Sequence, residues 1–190
     1  MTQLTTRETY LTNLGNKTSE STYAANTDYW LKIIRERLDR YRSNLTDKAV
    51  LDAIGLSDGL TILDAGCGEG YLSRILAQAG PRMVGVDTCP DLVESARVAA
   101  RELGLTIDYY TQSVNDLPIA DGRCDKVICN HLINDLPDVS KPFQEFARVM
   151  REGGQLVILM LHPCFYGAHN EGSCVVSVGA SGGAAQPARA

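Results

Sequence analysis

An α/β fold, with a doubly wound and mostly parallel sheet carrying helices on both faces, is what this sequence predicts, and three observations predict it. From residue 60 onward, short apolar runs alternate with helical patterns, the form taken by parallel strands joined through crossover helices. Leu63-Asp64-Ala65-Gly66-Cys67-Gly68-Glu69-Gly70 sets three glycines at alternate positions directly after an apolar run, so a strand turns into a helix through a stretch stripped of side chains. Val84-Gly85-Val86-Asp87 then ends a second apolar run on an acid, 17 residues beyond Gly70.

The elements follow in order. Residues 1–25 are rich in Thr, Asn and Ser with little periodicity and read as a loosely held arm. From Asp28, the residues Trp30, Ile33, Ile34, Leu38 and Tyr41 recur at helical spacing and predict an amphipathic helix of about four turns, with Trp30 turned to the core. A short helix comes next, with Thr46 as N-cap, Val50, Leu51 and Ile54 inward, and Gly55 as a left-handed stop. Strands are expected near 60–64, 82–87, 105–110, 124–129 and 155–161, with helices near 70–79, 90–103 and 139–150. Gly80-Pro81 closes the first of these helices, Pro90 opens the second at its first-turn position, and Gly104 ends it. Val175-Val176-Ser177-Val178 can add one short strand, and the Gly-, Ala- and Ser-rich tail from Gly179 carries no structural signal. The expected organisation is an arm and lid helix over 1–45, a ligand-binding domain over 46–178 and a tail over 179–190.

Composition bounds the function classes. With 190 residues, 44% hydrophobic and 22% charged, the chain can build one domain with a real core. A net charge of -5 lacks the basic footprint of a nucleic-acid binder. The basic cluster Arg35, Arg37, Arg40 and Arg42 alternates with Glu36 and Asp39, which reads as a solvated helix face. Met1-Thr2-Gln3-Leu4 begins no secretory signal, and no apolar run has the length of a membrane span, so a soluble cytoplasmic protein is expected. The six cysteines include no C-x-x-C pair and read as buried thiols rather than a disulfide framework.

In open parallel sheets, ligands bind beyond the carboxyl ends of the strands, against a glycine-rich turn. Here that turn follows Asp64, and a carboxylate at Asp87 can accept two hydrogen bonds from a ribose diol; together they describe an adenosine-containing ligand. A nicotinamide dinucleotide has the G-x-G-x-x-G fingerprint and a pyrophosphate on the helix N-terminus. This chain has G-x-G-x-G, with Glu69 placing a negative charge beside the pyrophosphate position, so a neutral or cationic ligand fits better.

Residues 63–70 resemble the first motif of the class I S-adenosylmethionine-dependent methyltransferases, a Rossmann-like family. Gly85-Val86-Asp87, Asn115-Asp116-Leu117-Pro118, Asp125-Lys126-Val127-Ile128-Cys129-Asn130-His131 and Arg148-Val149-Met150-Arg151-Glu152-Gly153-Gly154 are similar to its later motifs, so the likeness covers about residues 45–162. The resemblance implies S-adenosyl-L-methionine as cofactor, with S-adenosyl-L-homocysteine as product. It implies that Gly66, Cys67 and Gly68 line the methionine part, that Asp64 orients the loop or reaches the amino group through water, and that Asp87 holds the ribose hydroxyls. Thr88 and Cys89 would flank the adenine, and Asn130 with His131 would stand at the methyl-transfer end. Where many relatives carry an acid for the adenine amine, this chain has Ser113-Val114, leaving that contact to the Ser113 hydroxyl or to backbone.

Methyl transfer needs an in-line nucleophile and exclusion of water, and a base only where the acceptor is protonated. His162 and His131, at the ends of the fifth and fourth strands, are the catalytic candidates, with His169 behind them. Cys129-x-His131 and His162-x-Cys164 could be offered to zinc, but Pro163 breaks the extended spacing that a shared ligand face needs, and no metal is expected. Tyr23, Tyr29 and Trp30 are lid candidates, and Phe165 with Tyr166 a further acceptor wall. Only 28 residues follow His162, fewer than the family's usual C-terminal hairpin uses. Three answers to an exposed fifth strand are an edge strand at 175–178, a partner chain in a homodimer, or a truncated product. The expected function is methyl transfer to a small molecule at O, N or C; the alternatives are an inactive cofactor-binding domain working through a partner subunit, and a nicotinamide-dependent reductase.

Overall fold

The computed structural model describes residues 23–36, 38–39, 42, 46–55, 58–161 and 173–179, with residue 161 and residues 173–179 described for backbone only. Its elements are α1 (Thr27–Arg35), α2 (Asp47–Ile54), β1 (Thr61–Ala65), α3 (Tyr71–Gln78), β2 (Arg82–Asp87), α4 (Pro90–Glu102), β3 (Ile107–Thr111), β4 (Cys124–Asn130), α5 (Ser140–Val149), β5 (Met150–Leu161) and β6 (Ser173–Gly179). The sheet runs β3-β2-β1-β4-β5-β6. Every pairing is parallel except β5 with β6, which is antiparallel. The order reverses between β1 and β4, and both strands of that switch point end on the residues singled out above: Asp64 beside Ile128 and Ala65 beside Cys129.

The side-chain alternation of β1 sorts the core into two layers. Ile62 packs with Met83, Ile128, Val157 and Leu159 under α2 and α3, through Val50, Ile54, Leu72 and Leu76. Leu63 and Ala65 face the other way, with Val84, Val86, Val127 and Cys129 against Phe146 and Val149 of α5. Tyr109, Val93, Ala96 and Ala100 form a third cluster where α4 covers the β2–β3 end. Burying a fully enclosed side chain such as Leu63 or Phe146 contributes about 2 kcal/mol, so these layers rather than any polar contact hold the frame that presents the strand ends.

Several expectations need correction. The helix expected over about four turns from Asp28 ends at Arg35, because the Leu38 N–H bonds back to the Ile33 carbonyl and Asp39 then turns the chain by accepting from the Arg42 N–H. Leu38 is accordingly half exposed, and Tyr41 lies outside the described residues. Thr46 does not cap α2 with its side chain; its hydroxyl donates to the Arg42 carbonyl, while Gly55 does stop the helix in the left-handed region at φ 57°. β5 begins at Met150 rather than 155, since Met150 already pairs with Cys124 before a register shift absorbs the Gly153-Gly154 stretch. The extra strand runs over Ser173–Gly179 and covers the β5 edge, which is the edge-strand answer of the three. The four cysteines described with side chains are free and buried.

Candidate active site

The loop after β1 is held by main chain. The N–H groups of Gly66 and Cys67 both donate to the Val86 carbonyl, at 2.8 and 3.0 Å, and tie the loop to the end of β2. Gly68 donates to one carboxylate oxygen of Asp87 at 2.8 Å, and Cys89 N–H donates to the other at 2.9 Å. Two of the three alternate glycines make room for the protein itself. A β-carbon on Gly70, at φ 75°, would lie 2.3 Å from the Tyr109 hydroxyl, and one on Gly66 would meet Leu132 at 2.9 Å. At Gly68 a β-carbon would have nothing within 4 Å. The close approach inferred from the sequence is therefore open space at Gly68 and internal packing at Gly70.

Asp64 is 1% exposed, and its described hydrogen-bond partner is the Ser73 hydroxyl at 2.6 Å. With no arginine or lysine paired to it among the described residues, burial pushes its carboxyl up to about 6, against the opposing pull of the Ser73 bond. Glu69 is as deeply buried but differs in partners. Arg74 reaches both of its oxygens, at 2.9 and 3.0 Å, and Arg35 of α1 lies 3.5 Å away. The negative charge expected beside a pyrophosphate position is thus matched by two guanidinium groups, and the acid offered to a cation is Asp64 instead.

Across the crevice stand Tyr23, the helix α1 and Arg42. A cavity of about 110 Å³ is bounded by Tyr23, Trp30, Arg42, Asn130, His131 and Asp135 among others. A smaller one of about 40 Å³ continues past Arg42 and Asn130 to Asp64 and Cys67. Tyr23 donates to Asp135 at 2.8 Å, and its ring lies 5.5 Å from Trp30. Trp30 therefore walls the site, contrary to the core position expected for it; no residue of α1 is fully buried. Tyr29 is 57% exposed and packs edge-on to Trp30 outside the cavity. Arg42 was expected on a solvated face, yet its Nε is buried with no hydrogen-bond partner among the described residues, Asp39 Oδ2 lying 3.9 Å away, and Asn130 Oδ1 is likewise without one. Nothing in the local sequence distinguished Arg42 from Arg35 or Arg40.

The other expected site residues divide by placement. His131 lines the larger cavity with φ 60°, the one positive value outside glycine among the described residues, held by its N–H bonding to the Leu159 carbonyl. Burial and the nearby Arg42 charge lower its pKa, which favours neutral imidazole. Thr88 follows Asp87 directly, and Cys89 is buried at the N-terminus of α4 against Thr27. The chain after β3 returns to Asp87 through Gln112 N–H, which puts Ser113 nearby, but the Ser113 hydroxyl accepts from Asn115 N–H and the Val114 side chain is 5% exposed within the core. Val114 can therefore meet a ligand only through its backbone. His162, His169, Cys164, Phe165 and Tyr166 lie outside the described residues.

A turn of bare backbone bonded to a strand-end carboxylate, beside the switch point of a sheet in this order, is the arrangement in which open α/β sheets bind nucleotides. The family model described as a methyltransferase domain matches residues 63–158, half of the chain, and the chain belongs to that family. A ubiquinone biosynthesis O-methyltransferase of Xanthomonas euvesicatoria is 35% identical over 105 residues, covering 55% of this chain and 44% of its own length. The chain thus spans less than half of the length of the curated relatives it matches. Among solved structures, a SAM-dependent methyltransferase from Aquifex aeolicus superposes with a TM-score of 0.60 at 25% identity, covering 67% of this chain and 71% of that one. A putative S-adenosyl-L-methionine-dependent methyltransferase from Methanococcus maripaludis gives a TM-score of 0.62 at 21% identity over 85% of this chain and 68% of that one, a likeness of fold.

Proposed function

We propose that this chain is an S-adenosylmethionine-dependent methyltransferase whose acceptor is a small molecule. The observation that carries the reading is the bond from Gly68 N–H to Asp87, which fixes an open stretch of backbone beside a strand-end carboxylate. Each carboxylate oxygen can accept more than one hydrogen bond, so Asp87 can hold its two backbone donors and still take ribose hydroxyls. The amino-acid end of the cofactor fits the other side. A buried Arg42 Nε suits its carboxylate, and Asn130 Oδ1 with the Asp64 carboxyl suits its ammonium.

When bound, the cofactor supplies a methyl group made electrophilic by its sulfonium. The chain's own residues then bind, orient and exclude water. Asp87 and the glycine turn fix the nucleoside end, Trp30 and Tyr23 close the cavity over the acceptor, and a neutral His131 can take a proton from a hydroxyl or amine as it attacks. His162 is the second candidate for that proton.

Calorimetry with S-adenosylmethionine and S-adenosylhomocysteine, followed by a labelled-methyl assay against a panel of hydroxyl, amine and carbon acceptors, tests the reading. Uptake of both nucleosides with transfer of label is the expected result. Uptake without transfer to any acceptor would favour the cofactor-binding domain that works through a partner, and uptake of NAD in their place would favour the reductase.

A further inference from the structure

We propose that Arg35 and Glu69 form a latch that couples the position of α1 to the conformation of the glycine turn, so that Glu69 is a positioning residue for cofactor retention. The inference rests on the cofactor reading of this site. Its starting point is that α1 has only nine residues and buries none of them fully, so neither helix propensity nor apolar burial alone can hold it over the crevice. Its ties to the body are side-chain contacts made by three residues, each reaching a different part of the site. Tyr23, just before α1, donates to Asp135 beyond β4, Thr27 lies 3.9 Å from Cys89 beyond β2, and Arg35 reaches Glu69 in the glycine turn and Ser95 on α4.

Of these three, the contact to Glu69 bears on the turn that meets the ligand. The Glu69 side chain has no exposure, whereas that of Arg35 is 46% exposed. A buried carboxylate needs one good cationic partner, and Arg74, only 12% exposed and bonded to the Glu69 carbonyl as well as to both carboxylate oxygens, already supplies it. The second guanidinium is thus surplus to neutralisation, and its use is geometric. Glu69 sits between Gly68, whose N–H holds Asp87, and Gly70, which opens α3. A shift of the turn that loosens Gly68 from Asp87 would carry Glu69 away from Arg35, and release of Arg35 would free α1 with Trp30 on it. The aromatic wall and the ribose-binding acid are linked through one buried carboxylate.

The test uses Arg35→Met, which cuts the latch and leaves Glu69 with Arg74, and Arg35→Lys, which restores a charge at the same reach. Lys48→Met, in an exposed pair on α2, serves as the surface control. The readouts are the Kd and dissociation rate for S-adenosylhomocysteine, thermal stability, and amide hydrogen exchange of residues 27–36. Arg35→Met should dissociate the ligand about fivefold faster with an unchanged Tm, and residues 27–36 should lose the protection that ligand confers; Arg35→Lys should recover part of both. Wild-type affinity and full ligand-induced protection in Arg35→Met would overturn the latch. Should the wild-type chain take up no nucleoside at all, the cofactor reading fails instead, and ligand-free exchange decides the latch: faster exchange over 27–36 in Arg35→Met supports it, and equal exchange sinks it.

Discussion

At the ends of β1 and β2 the site is main chain held by one carbonyl and one carboxylate: two N–H groups on the Val86 carbonyl, and Asp87 gripping Gly68 and Cys89. At the end of β4 it is side chains reaching across from a helix that buries nothing fully, set against a histidine in a left-handed conformation. The first kind of construction leaves little to retune, because its donors are backbone N–H groups placed by packed strands and only the Asp87 carboxylate among its partners is a side chain. The second can be retuned residue by residue, since moving Trp30, Tyr23 or Arg42 leaves the core layers untouched. A seat for an invariant ligand and a wall for a variable one call for these two constructions.

The comparison breaks most visibly at Gly70. Gly70→Val drives a branched side chain into Tyr109 and Ala96 at a left-handed backbone, and should cost about 4 kcal/mol in denaturant unfolding, or abolish soluble expression. A loss below about 1 kcal/mol would show that the turn is not packed as described.

The next effect is on pH. The Asp64 carboxyl is pushed up to about 6, above the unfolded value of 3.8, so the proton it holds adds stability that is fully present below about pH 4 and lost as pH rises through about 6. The stability difference between wild type and Asp64→Asn should therefore fall by about 2 kcal/mol between pH 4 and pH 7. A difference independent of pH would place Asp64 in a solvent-like setting, and one that grows as pH rises would place it against a cation.

Asp87→Asn sharpens the same half. It sets an amide donor against one of two backbone N–H groups, so S-adenosylhomocysteine should bind at least about tenfold more weakly, with a stability loss of about 1 kcal/mol. Unchanged affinity by calorimetry would remove Asp87 from the ligand seat.

The smallest effect belongs to the other half. Asparagine accepts the left-handed region more readily than histidine, so His131→Asn should leave stability within about 0.5 kcal/mol of wild type and leave nucleoside affinity unchanged. Its loss should appear in the transfer rate to hydroxyl acceptors, read by label incorporation; an unaltered rate would take the proton-transfer role from His131.

The layered frame was legible because apolar runs, Gly and Pro act locally. β2 and the start of α4 fall where Arg82 and Pro90 announce them, and the Gly55 stop follows from its own backbone freedom. β5 was misjudged because Gly153-Gly154 reads as a loop, while pairing of Met150 with Cys124 pulls the preceding residues into the strand. In the candidate site, Asp64, Gly68 and Asp87 carried a signal because their chemistry depends on a short spacing. Arg42 carried none and Trp30 an ambiguous one, since a cation or an indole at helical spacing looks the same whether it faces water, core or ligand.

By itself, then, the chain's order of residues determined the alternation of strands and helices, the bare turn after β1 and the acid that closes β2, all of them consequences of neighbours within a few positions. Tertiary structure decided how the charges are partnered: Glu69 with two guanidinium groups, Asp64 with no arginine or lysine paired to it among the described residues, and Arg42 lining the cavity with Asp39 Oδ2 at 3.9 Å. The reason is physical. Burial and partnership of a charged group depend on residues dozens of positions away, and only the packed sheet brings those within hydrogen-bonding reach.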